Sequence, residues 1–219
     1  STPNQSSAAS DVYKRQYLMS TGSAVAWNMP NRLNFLTIVP MFHCNGWGYP
    51  WTVPMLNGRT ICLRNIDVKK IFDLIDKYNV THFGGAPIVL NMITGAPDSH
   101  KKKLRQKVYV LTAGAPPPSI IFKKMKELGF EVMHVYGLTE TYGHVTQCAW
   151  NDAWNEFDEE RQNEIKARQG VRYPNTEGIA VMDPETMKEV PSDGKTIGEI
   201  MIKGNIVMKG YFKDKDATD

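Results

Sequence analysis

From Asn34 to Val135, short and nearly continuous apolar runs alternate with segments whose apolar residues recur every three or four positions. Phe35 to Val39, Thr60 to Leu63, Thr81 to Phe83, Val108 to Leu111 and Val132 to Val135 read as strands. They lack the strict polar alternation of a half-exposed sheet, so both of their faces should be covered. Between them, Val68 to Tyr78 places Val68, Ile71, Phe72 and Ile75 on one helical face behind Asp67 as N-cap. Pro87 to Ile93 reads as a second helix opened by its proline. Ser119 to Leu128 reads as a third, with Ile120, Ile121, Met125 and Leu128 inward and Gly129 as its stop. Strand–helix alternation with short connections predicts an α/β fold, a mostly parallel sheet flanked by helices.

After Gly143 the pattern changes. Trp150 to Arg168 is polar, with a helix predicted from about Glu156 to Ala167. Ile179 to Met182, Thr196 to Ile202 and Ile206 to Tyr211 then alternate with turn signals such as Ser192-Asp193-Gly194 and Lys203-Gly204-Asn205. This predicts a small antiparallel β subdomain. The expected organisation is an arm over residues 1–16, an α/β subdomain over 17–169 and a β-rich subdomain over 170–219. The arm is set apart because Asp11-Val12-Tyr13-Lys14-Arg15-Gln16 can be back-translated to a sequence that resembles a transposase adapter used in sequencing libraries. It is expected to be non-native or disordered.

Composition narrows the function. With 42% hydrophobic and 22% charged residues over 219 positions, the chain has material for a sizeable core. A net charge of +3 argues against a nucleic-acid partner. The basic run Lys101-Lys102-Lys103-Leu104-Arg105-Gln106-Lys107 carries no interleaved aromatic and reads as a solvated surface. No apolar run is long enough to span a bilayer. Cys44, Cys62 and Cys148 form no CxxC pair, so neither a disulfide scaffold nor a cysteine zinc site is expected, and a cytoplasmic setting is. His82, His100 and His144 are too scattered to argue a metal site.

Candidate chemistry gathers where predicted strands end, at the edge where α/β sheets bind ligands. Tyr136-Gly137-Leu138-Thr139-Glu140 offers a flat ring, a hydroxyl and a carboxylate suited to a hard cation. Taken alone, a plain strand-to-loop turn explains it nearly as well. Thr112-Ala113-Gly114-Ala115-Pro116-Pro117-Pro118 is a small-residue loop that a planar ligand could approach, or simply a rigid connection. Pro40-Met41-Phe42-His43-Cys44-Asn45-Gly46-Trp47 puts a histidine among glycine and aromatics at a third strand end.

In this order the three stretches resemble the adenylate-forming superfamily of acyl-CoA synthetases, luciferases and adenylation domains. GEIMIKG and VMKGYF look like a further family segment, and the likeness covers roughly residues 30–219. A narrower likeness, carried by NGWGYPWTVP, THFGGAPIV, HVYGLTE and RQGVRYP, is to 3-methylmercaptopropionyl-CoA ligases and short- and medium-chain acyl-activating enzymes. The resemblance implies that Gly114, Ala115 and Pro116 lie against adenine, with Tyr136 and Gly137 on its other side and His134 near its edge. It further implies that Thr139 contacts the α-phosphate, Glu140 ligates Mg²⁺, and His43 lines the junction of acyl carboxylate and phosphate. Trp47, Gly84 and Gly85 would shape the acyl pocket. ATP, Mg²⁺ and CoA are the implied cofactors and a carboxylic acid the substrate. No carboxylate occurs from Met41 to Met55, so a substrate ammonium would go unpaired, which disfavours amino acids. The family's phosphate loop should precede Tyr17; its ribose-binding Asp, hinge and mobile C-terminal domain with the adenylation Lys should follow Asp219. The 219 residues are therefore expected not to turn over alone. A non-catalytic nucleotide-binding module is the alternative.

Overall fold

The computed structural model describes residues 12–211 and 213–218. Helix α1 (Val12–Ala26) leads into strand β1 (Asn34–Thr37), a tight turn labelled α2 (Cys44–Trp47) and helix α3 (Tyr49–Met55). Strand β2 (Arg59–Cys62), helix α4 (Val68–Tyr78), strand β3 (His82–Gly84) and helix α5 (Pro87–Gly95) follow. Next come β4 (Val108–Thr112), α6 (Ser119–Glu127), β5 (Phe130–Leu138) and β6 (Gly143–Gln147). Helix α7 (Glu159–Lys166), β7 (Val171–Arg172), β8 (Gly178–Met182) and β9 (Glu199–Lys203) complete the order.

The main sheet has seven strands in the order β2-β1-β3-β4-β5-β6-β7. The expected strands β1 to β5 are all parallel, whereas β6 and β7 reverse direction. Strands β8 and β9 form a separate antiparallel pair.

Local sequence explains the helices on one face. The Asp67 side chain accepts from the Lys70 N–H at 3.0 Å and caps α4, which ends on a left-handed Asn79. Its residues Val68, Ile71, Phe72 and Ile75 are buried as the periodicity predicts. Together with residues of α5, α6 and strands β1 to β5 they form one mainly aliphatic cluster packed around Phe72, Phe83, Phe122 and Phe130. In α6, Ile121, Phe122 and Met125 are buried while Ile120 points to solvent, contrary to expectation, because Phe122 takes the inward place. The other face of the sheet carries Trp27, Phe35, Trp47, Tyr49, Leu111 and Val135.

Four expectations need correction. The segment Ile206 to Tyr211 forms no ladder; it lies across the turn after β5, and the Met208 N–H donates to the Glu140 carbonyl at 2.8 Å. The helix expected from about Glu156 to Ala167 is present but starts three residues later. A single 3₁₀ turn, Asp152–Glu156, ends before α7, whose N-cap Asp158 accepts from the Arg161 N–H at 2.8 Å. The main sheet runs past the boundary expected near residue 170, because β7 pairs with β6 and the Tyr173 N–H donates to the Val145 carbonyl at 2.8 Å. Residues 12–16 form the first turn of α1 rather than a disordered arm. Arg15 is 0% exposed, and its Nη1 donates to the Glu140 carbonyl at 3.3 Å. The rest of the expected arm, residues 1–11, lies outside the described residues.

Candidate functional site

The carboxyl ends of the parallel strands meet at a cavity of about 240 Å³ lined by His43, Cys44, Trp47, Ala113, Gly114, Gly137, Leu138, Thr139, Glu140, Gly143 and His144. One wall follows β1, one follows β4 and one follows β5, so the three stretches singled out in the sequence converge here.

The wall after β1 has an unusual backbone. Cys44, Asn45, Gly46, Trp47 and Gly48 all have positive φ, between 40° and 79°. Each non-glycine residue in that left-handed region costs on the order of 1–2 kcal/mol. Strain of this kind persists where surrounding packing holds it, and such places are often functional. Here the packing comes from Trp47, which is buried against β3: a Cβ added at Gly84 would lie 3.1 Å from two atoms of the Trp47 ring. His43, by contrast, is exposed at the start of the turn.

The wall after β5 is fixed by Thr141. Its hydroxyl accepts from the Leu138 N–H at 3.0 Å and lies 2.9 Å from the Gly143 carbonyl, to which it can donate. Strand β6 then folds back so closely that a Cβ at Gly137 would strike the Gly143 carbonyl, and only glycine fits at that position. The turn presents Thr139 and Glu140 to the cavity. The Thr139 hydroxyl is 3.5 Å from the Cys44 Sγ, which ties two of the walls together. Burial pushes the Cys44 thiol above its ordinary value, so it stands as a neutral thiol. Glu140 Oε1 accepts from the Tyr211 phenol at 2.8 Å, and that hydrogen bond holds the phenol above its usual range.

The cavity thus brings together His43, Trp47, Gly114, Gly137, Thr139 and Glu140. Ala115 and Pro116 extend from it as an exposed loop beside Gly114, whose φ is +95° with open space where a Cβ would stand. Gly84 supports Trp47 from beneath, and Gly85 lies against Val89. His134 and Tyr136 lie apart from the cavity. His134 is buried, with Nδ1 2.9 Å from the Ala167 carbonyl at the end of α7, and burial lowers its pKa. Tyr136 lines a separate cavity of about 540 Å³ with Thr146, Arg172 and residues of β8.

Cys44, His144 and Tyr211 were not singled out for the site from the sequence. His144 is 2% exposed, and burial depresses its pKa to about 3, so its imidazole is neutral. Its ring makes edge contacts with Trp47 and Tyr173 at 5.5 and 5.7 Å. A sequence signal for it did exist, since it follows the Thr139-Glu140 turn directly. Tyr211 lies in the family-like segment VMKGYF, but its pairing with Glu140, 71 positions away, had no signal.

A hydroxyl, a carboxylate and an imidazole around a cavity of this size suit a small anionic group and a hard cation. Among the described residues no group of three or more His, Cys, Asp or Glu side chains could hold a metal ion. Glu140 would therefore supply one ligand and a bound phosphate others, the usual way Mg²⁺ is held beside nucleotides. The open space at Gly114 leaves room for a nucleotide to approach the main chain, and the residues present fit the group.

The chain is similar to known proteins in sequence and in fold. The family described as AMP-binding enzyme matches residues 12–212. The chain is 47% identical over 208 residues to the acetate/butyrate–CoA ligase AAE7, peroxisomal, of Arabidopsis thaliana, covering 94% of the chain and 36% of that protein. It is 48% identical over 209 residues to the acetate–CoA ligase CCL3 of Humulus lupulus, with 94% and 37% covered. The chain thus spans little more than a third of the length of these curated relatives. Among solved structures it resembles the inhibitor-bound N-terminal domain of FACL13 from Mycobacterium tuberculosis, with a TM-score of 0.76 and 24% identity over 94% of this chain and 48% of that one. It also resembles o-succinylbenzoate CoA synthetase (MenE) from Bacillus subtilis in complex with ATP and magnesium ion, with a TM-score of 0.75 and 21% identity over 94% and 40%. At these identities the two structures establish the fold.

Proposed function

Because this chain belongs to the AMP-binding enzyme family, we propose that it is part of an ATP-dependent ligase that joins a short carboxylic acid to CoA through an acyl-adenylate. The observation that carries the proposal is the convergence of three separate strand-end segments on one cavity.

The reaction brings a carboxylate to the α-phosphate of ATP, two anions whose repulsion must be offset by donors and positive charge. In the proposed arrangement the Thr139 hydroxyl donates to an α-phosphate oxygen. Glu140 would hold Mg²⁺ together with the phosphates, and the ion would supply positive charge to offset the negative charge that develops there. His43, at the exposed rim, faces the acyl carboxylate as it enters. Gly114, Ala115 and Pro116 would lie against one side of the base and Tyr136, which lines the neighbouring cavity, against the other. His134 is the residue proposed for the adenine edge; it is buried there, with Nδ1 2.9 Å from the Ala167 carbonyl and its own carbonyl accepting from the Cys148 N–H at 2.8 Å.

The acid is proposed to be short. In support, Trp47 is seated against Gly84 and lines the cavity of about 240 Å³, and similar proteins are named as ligases of acetate, butyrate and 2-methylpropanoate. The thioether acid 3-methylmercaptopropionate, a linear isostere of a short fatty acid, is proposed as one member of that class. No helix of the described residues is long and apolar enough to cross a membrane. The three free cysteines support the proposed cytoplasmic setting.

The test uses the complete reading frame that contains this chain. ATP-dependent pyrophosphate release is followed with acetate, butyrate, 3-methylmercaptopropionate, octanoate and an amino acid, with and without CoA. Release with the short acids and thioester only with CoA is expected, and Glu140→Gln should lower the rate by about 10²-fold. ATP binding without release for any acid would replace the ligase by a nucleotide-binding module. Turnover is proposed for the complete protein, and acyl-CoA formation by the 219 residues alone would overturn that part of the reading.

A further inference from the structure

The segment after β9 crosses back over the Thr139-Glu140 turn and grips it at two levels. Ile206, 0% exposed, anchors the segment. The Met208 N–H donates to the Glu140 carbonyl at 2.8 Å, and the Tyr211 phenol donates to Glu140 Oε1, also at 2.8 Å. Tyr211 is fixed in turn, because its own N–H donates to the Thr218 hydroxyl at 2.9 Å. A glutamate on a solvent-accessible turn would otherwise sample several rotamers, and each must be lost again when the carboxylate takes up a cation. A carboxylate has lone pairs on both oxygens, so one phenol donor on Oε1 leaves Oε2 to a metal.

We infer that Tyr211 is a positioning residue that holds the Glu140 carboxylate in the orientation from which it takes the divalent cation. The inference rests on the reading of Glu140 as the cation's protein ligand. It ties the segment beyond the small β8–β9 sheet to the phosphate end of the cavity, so that metal uptake and docking of residues 204–211 favour each other.

Tyr211→Phe removes the donor and keeps the ring. In the complete protein, Mn²⁺ binding in the presence of ATP is measured by electron paramagnetic resonance. The Mg²⁺ concentration for half-maximal pyrophosphate release is measured alongside it. Mn²⁺ affinity is expected to fall about 10-fold in Tyr211→Phe. The Mg²⁺ requirement should rise by the same factor, with the KM for the acid and the metal-free Tm unchanged. Tyr211→Leu, which lacks ring and donor alike, should match Tyr211→Phe in Mn²⁺ affinity; a larger loss in Leu alone would assign the residue to packing and overturn the inference. Mn²⁺ bound as tightly or more tightly by Tyr211→Phe, while Glu140→Gln weakens it, would overturn the inference and leave the ligand reading standing. Mn²⁺ affinity unchanged in Glu140→Gln would remove that reading and the inference with it.

Discussion

The two faces of the main sheet are built differently. One is covered by α4, α5 and α6 over a mainly aliphatic cluster that also holds Phe72, Phe83, Phe122 and Phe130; of the three helices α4 alone has a side-chain N-cap. The other is aromatic, with Trp27, Phe35, Trp47 and Tyr49 packed over the left-handed turn from Cys44 to Gly48. The cavity opens beside the second face. A regular helix layer satisfies its own backbone hydrogen bonds and leaves little that a ligand could use. A turn forced into positive φ by packing exposes side chains and main chain in fixed positions, at a cost that the rest of the fold sustains. In this molecule the aliphatic face supplies stability and the aromatic face supplies the candidate chemistry.

The sharpest way to break the comparison is Phe72→Ala, on a 0% exposed residue of the aliphatic cluster. The expected loss is about 3–5 kcal/mol by urea unfolding. A loss below about 1 kcal/mol would show that this face does not carry the stability assigned to it.

A smaller effect comes from pH and belongs to the other face, where His144 packs against Trp47 and His82 against Trp27. Burial depresses His144 to about 3 and His82 to about 4, from an ordinary 6.5. Between those values and 6.5 the folded chain binds fewer protons than the unfolded one, so stability is full above pH 6.5. It then falls as pH drops toward 4 and 3. The Tm should decrease by roughly 5–10 °C between pH 7 and pH 4.5, and His144→Phe should flatten part of that slope. An identical slope in His144→Phe would mean that His144 does not contribute.

The smallest expected change is Asp67→Ala, which removes the α4 cap and should cost about 1 kcal/mol. It sharpens the comparison because ligand binding at the cavity should not move with it. A coupled loss of ATP affinity would show that the two faces are not energetically separate.

What could be read from the chain follows the same division. Strands β1 to β5 and helices α4 to α6 were legible because their apolar periodicity, the Asp67 cap and the Gly129 stop all act within a few residues. The three segments of the cavity were legible as short stretches and as a family likeness. The reversal of the sheet at β6 was not, because Gly143 to Gln147 is buried on every residue and shows no alternation to separate it from a loop. The strand expected at Ile206 to Tyr211 has the right residues, yet its backbone bonds to the Glu140 turn instead of to a neighbouring strand. The basic run from Lys101 to Lys107 lies on the surface as expected, with Lys102, Lys103, Arg105 and Lys107 exposed, and only its acidic partners were not legible in the chain. Lys102 and Arg105 reach Asp76 at 3.8 and 2.9 Å, Lys102 also reaches Asp73 at 2.7 Å, and Lys107 reaches Glu131 at 3.8 Å.

The sequence by itself determined which segments are strands and helices on the aliphatic face, and which residue types stand at the strand ends, because those properties are local. Only the tertiary structure decided that Cys44 meets Thr139, that Arg15 and Met208 hold the Glu140 carbonyl, and that Tyr211 holds its carboxylate. Each of these contacts joins positions 68 or more apart, and each depends on a backbone path that no window of neighbouring residues specifies. Periodicity reports which side of an element is apolar. It carries no information about which distant hydroxyl will complete a carboxylate's hydrogen bonds.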